Sequence, residues 1–295
     1  MSKNTIVAVV VTNNRISLLQ ECIMALQNQT LQCHIFVVDN ASTDGTGEWL
    51  YEKKKEGLLD YVSLQENTGG AGGFSYGMKQ AVANGYDYIW IMDDDTIPEK
   101  DALEKLYMAV SSDKKIGFIA SKVLWTDNTE CLMNRPLLLN NEIIEYNGLS
   151  MRPVRSATFV SLLFRADIIR KKGLPIAEYF IWGDDKEYTR RISKDYHCYQ
   201  VDESVVIHKM KINAGSNITI DNKDRIARYF YAYRNDYVTA RNEGISELLI
   251  YNVAFLLNEL RIIFKSKDEK KLRIKTMREG RRAGKKFFPK IKFPE

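Results

Sequence analysis

Two apolar patterns alternate over the first half of the chain. Short continuous apolar runs, typical of strands buried on both faces, lie at residues 6–11, 35–38, 61–64 and 88–92. Helical spacing of apolar residues predicts helices after residue 15, from about Thr46 with Thr43 or Asp44 as its cap, and at residues 99–110. Strands alternating with helices predict an α/β fold with a parallel, doubly wound sheet, whose ligands bind at the carboxyl ends of the strands.

The second half of the chain is less regular. After a strand predicted at residues 116–123, residues 124–156 lose clear periodicity, and we interpret them as an insertion over the site. Further strands are predicted at residues 158–164, 197–201 and 205–208, and short helices at residues 166–172 and 185–192. From Asp224 onward the pattern is helical. We therefore expect an α/β domain at residues 1–215, with halves at about 1–123 and 124–215, and a helical region at residues 216–295.

The composition is that of a soluble globular protein. The 295 residues are 45% apolar and 27% charged, and the apolar run at residues 6–11 is too short for the central region of a signal peptide. The four cysteines are widely spaced and form no CxxC pair, which argues against a disulfide framework or a zinc ribbon. A cytoplasmic location is expected.

The net charge of +5 hides a basic C-terminus. Residues 265–295 contain 13 Lys or Arg and 4 acidic residues, so this tail carries +9 and the rest of the chain −4. Residues 245–264, just before it, are apolar but include Glu247, Asn252 and Arg261, which argues against a transmembrane helix. A helix in the membrane interface, with the tail on an anionic surface, is one interpretation. A core helix followed by a solvated tail is the other.

Three consecutive carboxylates follow the strand predicted at residues 88–92. Asp93, Asp94 and Asp95 repel one another, and each raises the pKa of its neighbours. A divalent cation removes that conflict, because Mg²⁺ and Mn²⁺ prefer carboxylate oxygens. The alternative is a solvated acidic turn that ends a strand.

A glycine-rich segment follows the third predicted strand. In residues 67–74, which begin with Asn67 and include Gly70, four of five consecutive positions are glycine, and we interpret them as a loop whose backbone approaches a ligand closely. A flexible loop is the alternative. The segment is not a dinucleotide fingerprint, which would follow the first strand.

A second acidic cluster lies at residues 182–188. Asp184 and Asp185 fall at a predicted helix start, where the helix dipole favours negative charge, and this alone could explain them. The functional interpretation is a general base, since positioned proton removal from a hydroxyl is typically worth 10²–10⁴ in rate. His208 ends a predicted strand and is a candidate metal ligand, whereas His34 and His197 are interpreted as structural.

Five segments together resemble an inverting family-2 glycosyltransferase with the GT-A fold. They lie in the family's order at residues 10–15, 38–46, 67–74, 93–95 and 182–188. The glycine-rich and second acidic segments are most similar to the galactofuranosyl- and rhamnosyltransferase branch. Residues 231–235, Tyr-Ala-Tyr-Arg-Asn, are similar to a short element of the same branch. The resemblance implies a GT-A mixed sheet with a C-terminal helical extension, a nucleotide-sugar half at residues 1–123 and an acceptor half at residues 124–215.

The resemblance also implies a role for each candidate residue. The residues that would bind the nucleotide sugar are Thr12, Arg15, Asp39, Asn67, Gly70 and Asp94. Asp93, Asp95 and His208 would hold Mn²⁺ or Mg²⁺. Asp185 would be the base, with Asp184 and Glu187 positioning acceptor hydroxyls and Trp182 stacking on a sugar face.

The implied reaction is metal-dependent transfer of a sugar with inversion. We expect galactofuranose from UDP-galactofuranose, or else rhamnose from dTDP-rhamnose, to be added to a lipid-linked cell-surface polysaccharide at the inner face of the cell membrane. A sugar-phosphate nucleotidyltransferase would need a glycine- and basic-rich loop after the first strand, which residues 12–16 lack. A glycan-binding module would leave the second acidic cluster unexplained. Nucleic-acid binding is disfavoured, because the basic residues lack interleaved aromatics.

Overall fold

A mixed β-sheet with helices on both faces forms the centre of the molecule. The structure is a computed structural model, and it describes residues 5–294. Its strands are β1 (Ile6–Thr12), β2 (His34–Asp39), β3 (Asp60–Ser63), β4 (Tyr88–Asp93), β5 (Thr96–Pro98), β6 (Ile116–Leu124), β7 (Leu137–Leu138), β8 (Ile144–Tyr146), β9 (Leu149–Ser156), β10 (Leu162–Arg165) and β11 (His197–His208). Its helices are α1 (Ile16–Gln27), α2 (Thr46–Lys55), α3 (Gly69–Ala83), α4 (Ala102–Val110), α5 (Ala166–Lys172), α6 (Asp184–Ser193), α7 (Lys223–Ile226), α8 (Tyr229–Glu243), α9 (Ile245–Lys265) and α10 (Lys270–Lys286).

The strand order is β3-β2-β1-β4-β10-β6-β11-β9-β7, with β5 paired to β11 and β8 to β9. The first four strands are parallel, as the alternation of strands and helices predicts, whereas β10 runs antiparallel to both β4 and β6. The sheet is therefore mixed, which confirms the expected fold class. Register places Thr12 beside Asp39 and Val11 beside Asp93, so the polar ends of β1, β2 and β4 meet at one edge.

Two apolar layers cover the sheet, because continuous apolar strands present side chains to both faces. One layer joins Val7, Val9 and Val11 to Phe74 and Met78 of α3. The other joins the alternate residues of β1 to α1, α2 and α4, and it includes the fully buried Trp90. The sheet is thus doubly wound, with its carboxyl edge open for a site.

The glycine-rich segment is not a loop, and that prediction is wrong. Residues from Gly69 onward form α3, which packs closely on β1. A Cβ at Gly73 would lie 2.5 Å from Val11 Cγ1, and one at Gly69 would lie 2.0 Å from the carbonyl oxygen of Phe180. Contacts this short exclude a side chain, so these glycines serve close packing of a helix and not flexibility.

Residues 124–156 contain more regular structure than predicted. Strand β9 lies within them and pairs with β11, and the short strands β7 and β8 pair with β9. The interpretation as an irregular insertion is therefore wrong in part; the segment extends the sheet. Buried and half-buried positions alternate along the first part of β9, but Pro153 and Val154 are both buried, so the two-residue period that would indicate a strand is lost there.

Several predicted boundaries also shift. The helix predicted from residue 99 begins at Ala102, because residues 96–98 pair with β11 as β5. The strand predicted from residue 158 begins at Leu162. Residues 197–201 and 205–208 form one strand, β11, with an irregularity between Val201 and Val205. Helix α2 begins at Thr46 as predicted, but its N-cap is Gly45 and not Thr43 or Asp44; Asp44 instead accepts the Thr46 amide at 3.2 Å.

The C-terminal helices pack on the α/β body. Helix α8 lies between the body and helices α9 and α10, and Tyr233 and Met277 are buried where these helices meet. The chain after α10 returns to the body, where the Leu174 amide donates to the Lys292 carbonyl at 2.8 Å. Within residues 5–294, none of the helices is both long enough and apolar enough to cross a membrane.

Candidate active site

The end of strand β4 places the acidic triplet, Asp93 to Asp95, at the carboxyl edge of the sheet. Strand β4 ends at Asp93, and Asp94 and Asp95 form the turn into β5. Thr12 donates its hydroxyl to Asp94 at 2.7 Å. The Arg15 guanidinium, at the start of α1, donates to Asp94 at 3.1 Å and to Asp95 at 2.7 Å. Thr12 and Arg15, both expected from the sequence to bind the nucleotide sugar, therefore hold Asp94 and Asp95 in place.

Asp93, Asp95 and His208 come together as one cluster. A ligand atom from each lies within 4.8 Å of the others, and His208 Nε2 is 2.9 Å from Asp95 Oδ1. Burial alone would lower the pKa of His208, but its hydrogen bond to Asp95 raises that pKa to about 10. Burial alone would raise the pKa of Asp95, but His208 and Arg15 hold it below its usual value.

The pKa values of the other two carboxylates, Asp93 and Asp94, are raised. Burial, with repulsion from Asp95, raises the pKa of Asp93 to about 7. Burial also raises the pKa of Asp94 to about 6, although Arg15 opposes the shift. The cluster offers two carboxylate oxygens and one imidazole nitrogen, and this set of ligand atoms fits a divalent cation. A cation would also compensate the negative charge that burial disfavours. The metal cluster predicted from sequence is therefore chemically consistent.

Asn134 orients His208, and the sequence analysis missed it. His208 Nδ1 donates to Asn134 Oδ1 at 2.8 Å, and the Asn134 amide donates in turn to Thr158 at 2.9 Å. A carbonyl partner at Nδ1 leaves Nε2 as the nitrogen that faces the cluster, which is the usual arrangement of a metal-binding histidine. Asn134 belongs to the segment interpreted as an insertion, so its Asn-Arg-Pro sequence was the only signal.

Asp39 lines an open groove beside the cluster. The groove has a volume of about 760 Å³ and is bordered by Asp39, Ser42, Gly47, Tyr61 and Ser63. Asp39 is buried, and it accepts hydrogen bonds from the Ser42 amide at 2.9 Å and from the Ser63 hydroxyl at 2.9 Å. A fixed carboxylate at the base of a groove suits recognition of a ring N–H donor.

The first turn of α3 borders the same edge. Asn67 accepts the Gly69 amide at 2.8 Å, and Asn40 both accepts the Thr68 amide and donates to the Gly69 carbonyl, each at 2.8 Å. A Cβ at Gly70 would meet no atom within 4 Å among the described residues, so packing does not explain this glycine. The amides of Thr68, Gly69 and Ala71 are all paired within the protein, so what Gly70 offers at this edge is a backbone without a side chain.

The second acidic pair opens α6. Burial, with repulsion from Asp185, raises the pKa of Asp184 well above its usual value, and Asp93 contributes to this shift across the site. Burial raises the pKa of Asp185 to about 6, opposed by the Lys186 amide, which donates to it at 2.6 Å. Asp184 therefore lies within electrostatic range of the acidic triplet. Asp185, the next residue, has a pKa of about 6 and is ionised at neutral pH.

Two predicted residues have structural partners of their own. Trp182 is half-buried, with its ring 5.0 Å from that of Tyr229. Glu187 is buried, and both of its carboxylate oxygens pair with Arg191 at 2.9 Å. Their acceptor-binding roles remain predictions.

The doubly wound sheet, the acidic cluster at its carboxyl edge and the facing acidic pair define a glycosyltransferase of the GT-A class. The model for "Glycosyl transferase family 2" matches residues 7–168 of the chain. The chain belongs to that family.

Curated relatives agree with this assignment. The chain is 31% identical over 198 residues to galactofuranosyltransferase GlfT1 of Mycobacterium tuberculosis, covering 64% of each protein. It is 27% identical over 264 residues to the protein of the same name from Mycolicibacterium smegmatis, covering 82% of this chain and 85% of that protein. The chain thus spans about two-thirds of the Mycobacterium tuberculosis relative in its match.

Solved structures share the fold. TarS of S. aureus has a TM-score of 0.57 at 13% identity, covering 95% of this chain and 43% of that one. GalNAc-T7, solved with UDP, GalNAc and Mn²⁺, has a TM-score of 0.66 at 15% identity, covering 95% of this chain and 55% of that one. At these identities the likeness is one of fold.

Proposed function

We propose that the protein is a metal-dependent, inverting glycosyltransferase that moves galactofuranose from UDP-galactofuranose to a lipid-linked polysaccharide intermediate. The observation that carries the proposal is the cluster of Asp93, Asp95 and His208 at the carboxyl edge of the sheet, with Asp184 of α6 near enough for Asp93 to raise its pKa. The choice of donor is supported by similarity to the two galactofuranosyltransferases.

The chain's own residues account for donor binding. Asp39 would accept the ring N–H of the nucleobase in the groove, and Arg15, beside the triplet, can turn from Asp94 and Asp95 to an anionic donor. Asp93, Asp95 and His208 would hold Mn²⁺ or Mg²⁺, which supplies Lewis-acid neutralisation of the departing diphosphate. Asn67 and Gly70, at the start of α3, would border the donor sugar.

The acidic pair accounts for the acceptor side. Asp185 would take the proton of the attacking hydroxyl, and Asp184 would position that hydroxyl near the donor. The hydroxyl forms the new bond to the anomeric carbon from the face opposite the diphosphate as the bond to the diphosphate breaks. Direct displacement inverts the anomeric configuration.

A donor screen tests this function. With Mn²⁺ and a lipid-linked acceptor, UDP-galactofuranose is expected to be consumed at least tenfold faster than UDP-galactopyranose, UDP-glucose or dTDP-rhamnose, as measured by nucleotide release and by mass gain of the acceptor. Preference for dTDP-rhamnose would correct the donor. Pyrophosphate exchange with UTP and a sugar phosphate would instead indicate a nucleotidyltransferase, and absence of turnover with every donor would leave a binding module.

The membrane partner is proposed from α9 and α10. Helix α9 leaves an apolar face exposed over its whole length, with Ile245 82%, Leu249 60% and Phe264 79% accessible. Helical geometry places its exposed apolar residues in one arc of about 140°, along roughly 30 Å. The exposed apolar residues are Ile245, Leu249, Ile250, Val253, Leu256, Leu257, Leu260, Ile263 and Phe264.

A basic stripe runs alongside this apolar face. Helix α10 packs beside α9, where Arg278 pairs with Glu259 at 2.6 Å and Arg281 lies over the Phe255 ring at 4.8 Å. Exposed on α10 are Lys271, Lys275, Arg282 and Lys286. An apolar face flanked by basic residues complements an anionic bilayer, where each basic residue adds about 1 kcal/mol. A second copy on the same face would bring two basic stripes together.

Vesicle binding tests this surface. We expect the protein to float with vesicles of 30% phosphatidylglycerol, and the paired changes Leu249→Glu and Leu256→Glu to weaken that binding at least tenfold, since carboxylates would enter the apolar layer. The matched control is Ile212→Glu, an exposed residue 68% accessible and outside α9. Deletion of residues 265–295 is a poorer test, because Arg273 and Met277 are buried in the fold.

Equal binding by the wild type and the paired variant would reject α9 as the contact. A concentration-dependent dimer, abolished by the same paired change, would assign this face to a second copy of the chain instead.

A further inference from the structure

The connection before α6, residues 179–183, has an unusual backbone. Phe180 has φ 65° and ψ −65°, and the Ile181 amide donates to the Tyr179 carbonyl at 2.8 Å, so Phe180 is the centre of a γ-turn of the rare, strained kind. Trp182 and Gly183 also have positive φ, at 62° and 87°. Residues other than glycine keep such backbone conformations only where the surrounding structure holds them in place.

One fully buried residue of α8 fixes this connection. The Asn235 side-chain amide donates to three backbone carbonyls, those of Tyr179 at 3.0 Å, Ile181 at 3.2 Å and Trp182 at 2.7 Å. Gly183 lies against the same residue, because a Cβ on it would be 3.3 Å from Asn235 Cβ. Asn235 therefore spans the strained turn from one end to the other.

Arg234 determines which way that amide faces. Its Nε donates to Asn235 Oδ1 at 2.9 Å, which leaves the amide N–H groups directed at the carbonyls. The same guanidinium donates to the carbonyls of Glu178 at 2.8 Å and Tyr179 at 3.0 Å. The Tyr231 ring packs on that of Phe180 with centroids 5.0 Å apart. Residues 231–235 thus act as one unit upon residues 178–183.

The connection touches both halves of the site. The Phe180 carbonyl accepts the Ala71 amide, in the first turn of α3, at 3.1 Å. At its other end, Gly183 is the residue before Asp184 and caps α6. Its backbone conformation therefore sets where the acidic pair lies relative to the glycine-rich start of α3.

We propose that Asn235, oriented by Arg234, is a positioning residue for sugar transfer, which holds residues 179–183 in the conformation that aims the acidic pair at the reacting centre. The assignment rests on the proposed function for its reaction. It gives residues 231–235, which lie outside the family-matched residues 7–168, a role in the site.

Two variants test the proposal. Asn235→Asp keeps the shape of the side chain but replaces the donor with a carboxylate that repels three carbonyls, and kcat is expected to fall at least tenfold. The affinities for UDP and for Mn²⁺ are expected to change less than threefold, because the Asp39 groove and the acidic triplet do not contact Asn235. Arg234→Gln, which changes a partly exposed residue, is expected to lower kcat severalfold and guards against misfolding of the first variant.

A matched control separates positioning from stability. Leu106→Ala removes buried apolar volume from α4, in the apolar layer that contains none of residues 179–183. It is expected to lower the melting temperature while kcat, measured where the protein is folded, stays at the wild-type value. If kcat falls as much in this control as in Asn235→Asp, the loss of activity reflects lower stability in general, and the proposal is rejected.

Amide hydrogen exchange gives a readout that does not require turnover. Exchange across residues 179–184 is expected to accelerate at least tenfold in Asn235→Asp, with β4 unchanged. Unaltered exchange, or a folded Asn235→Asp protein with wild-type kcat, would overturn the assignment. If the wild type transfers no sugar from any donor, the proposed function fails, while the exchange measurement still decides whether Asn235 holds this connection.

Discussion

Replacing Asp185 with asparagine is expected to reduce sugar transfer by about 10²–10⁴-fold, the usual worth of a positioned proton acceptor. Asparagine has nearly the shape of aspartate but cannot accept the proton of the attacking hydroxyl. The loss should appear in kcat, with the affinity for UDP unchanged in a titration. Steady-state kinetics at saturating donor and Mn²⁺ measure it.

The pH profile provides a second readout of the same group. Burial raises the pKa of Asp185 to about 6, so this proposed base is ionised above that pH and protonated below it. Wild-type kcat should therefore fall as the pH drops through about 6, and the variant should keep only the part of that fall due to Asp94, whose pKa is also about 6. Because Asp184 and Asp185 titrate as a pair, the limb reports both.

Two further variants show whether the loss of activity is specific to Asp185. Asp195→Asn, just beyond the end of α6 and paired with Lys172, should retain full activity. If Asp184→Asn is inactive while Asp185→Asn transfers sugar normally, the base is Asp184, which already lies within electrostatic range of Asp93.

The second large effect is expected at Asp93. Its pKa is raised to about 7 in the folded protein, so the ionised carboxylate destabilises the fold progressively as the pH rises from about 4 to about 7. Asp93→Asn removes that penalty, and the melting temperature at pH 7.5 in the presence of a chelator should rise. Mn²⁺ is expected to raise the melting temperature of the wild type; the same change should abolish that rise and lower transfer at least 100-fold.

Calorimetry with and without Mn²⁺, alongside activity assays, measures these opposed effects. Asp113→Asn changes an exposed carboxylate just before β6, at the opposite edge of the sheet, and should alter neither quantity. Were Asp93→Asn protein to keep both its Mn²⁺-induced shift and its activity, the metal assignment would be wrong.

The sequence predicts the strand ends well because the chemistry there is local. A buried apolar run that stops at Asp93 or Asp39 places those residues at the sheet edge whatever the rest of the chain does. The acidic start of α6 is local in the same sense, since Asp184 and Asp185 precede a helical pattern.

What the sequence does not predict depends on contacts between distant segments. The glycines of α3 suggest a loop until Val11 and the Phe180 carbonyl are seen against them. The sequence around Asn134 does not indicate a partner, and the resemblance at residues 231–235 does not indicate what Asn235 contacts; only the fold brings them to His208 and to residues 179–183. Periodicity detects a residue's own element and says nothing of its partner across the structure.

The 2.0 Å approach that a Cβ at Gly69 would make to the Phe180 carbonyl has a consequence for engineering this enzyme. Even alanine is excluded at Gly69 unless the turn at Phe180 moves, so the two segments cannot be redesigned separately. A library that varies residues 179–183 to broaden acceptor choice should therefore shift donor preference as well, and paired randomisation of both segments is the more productive search.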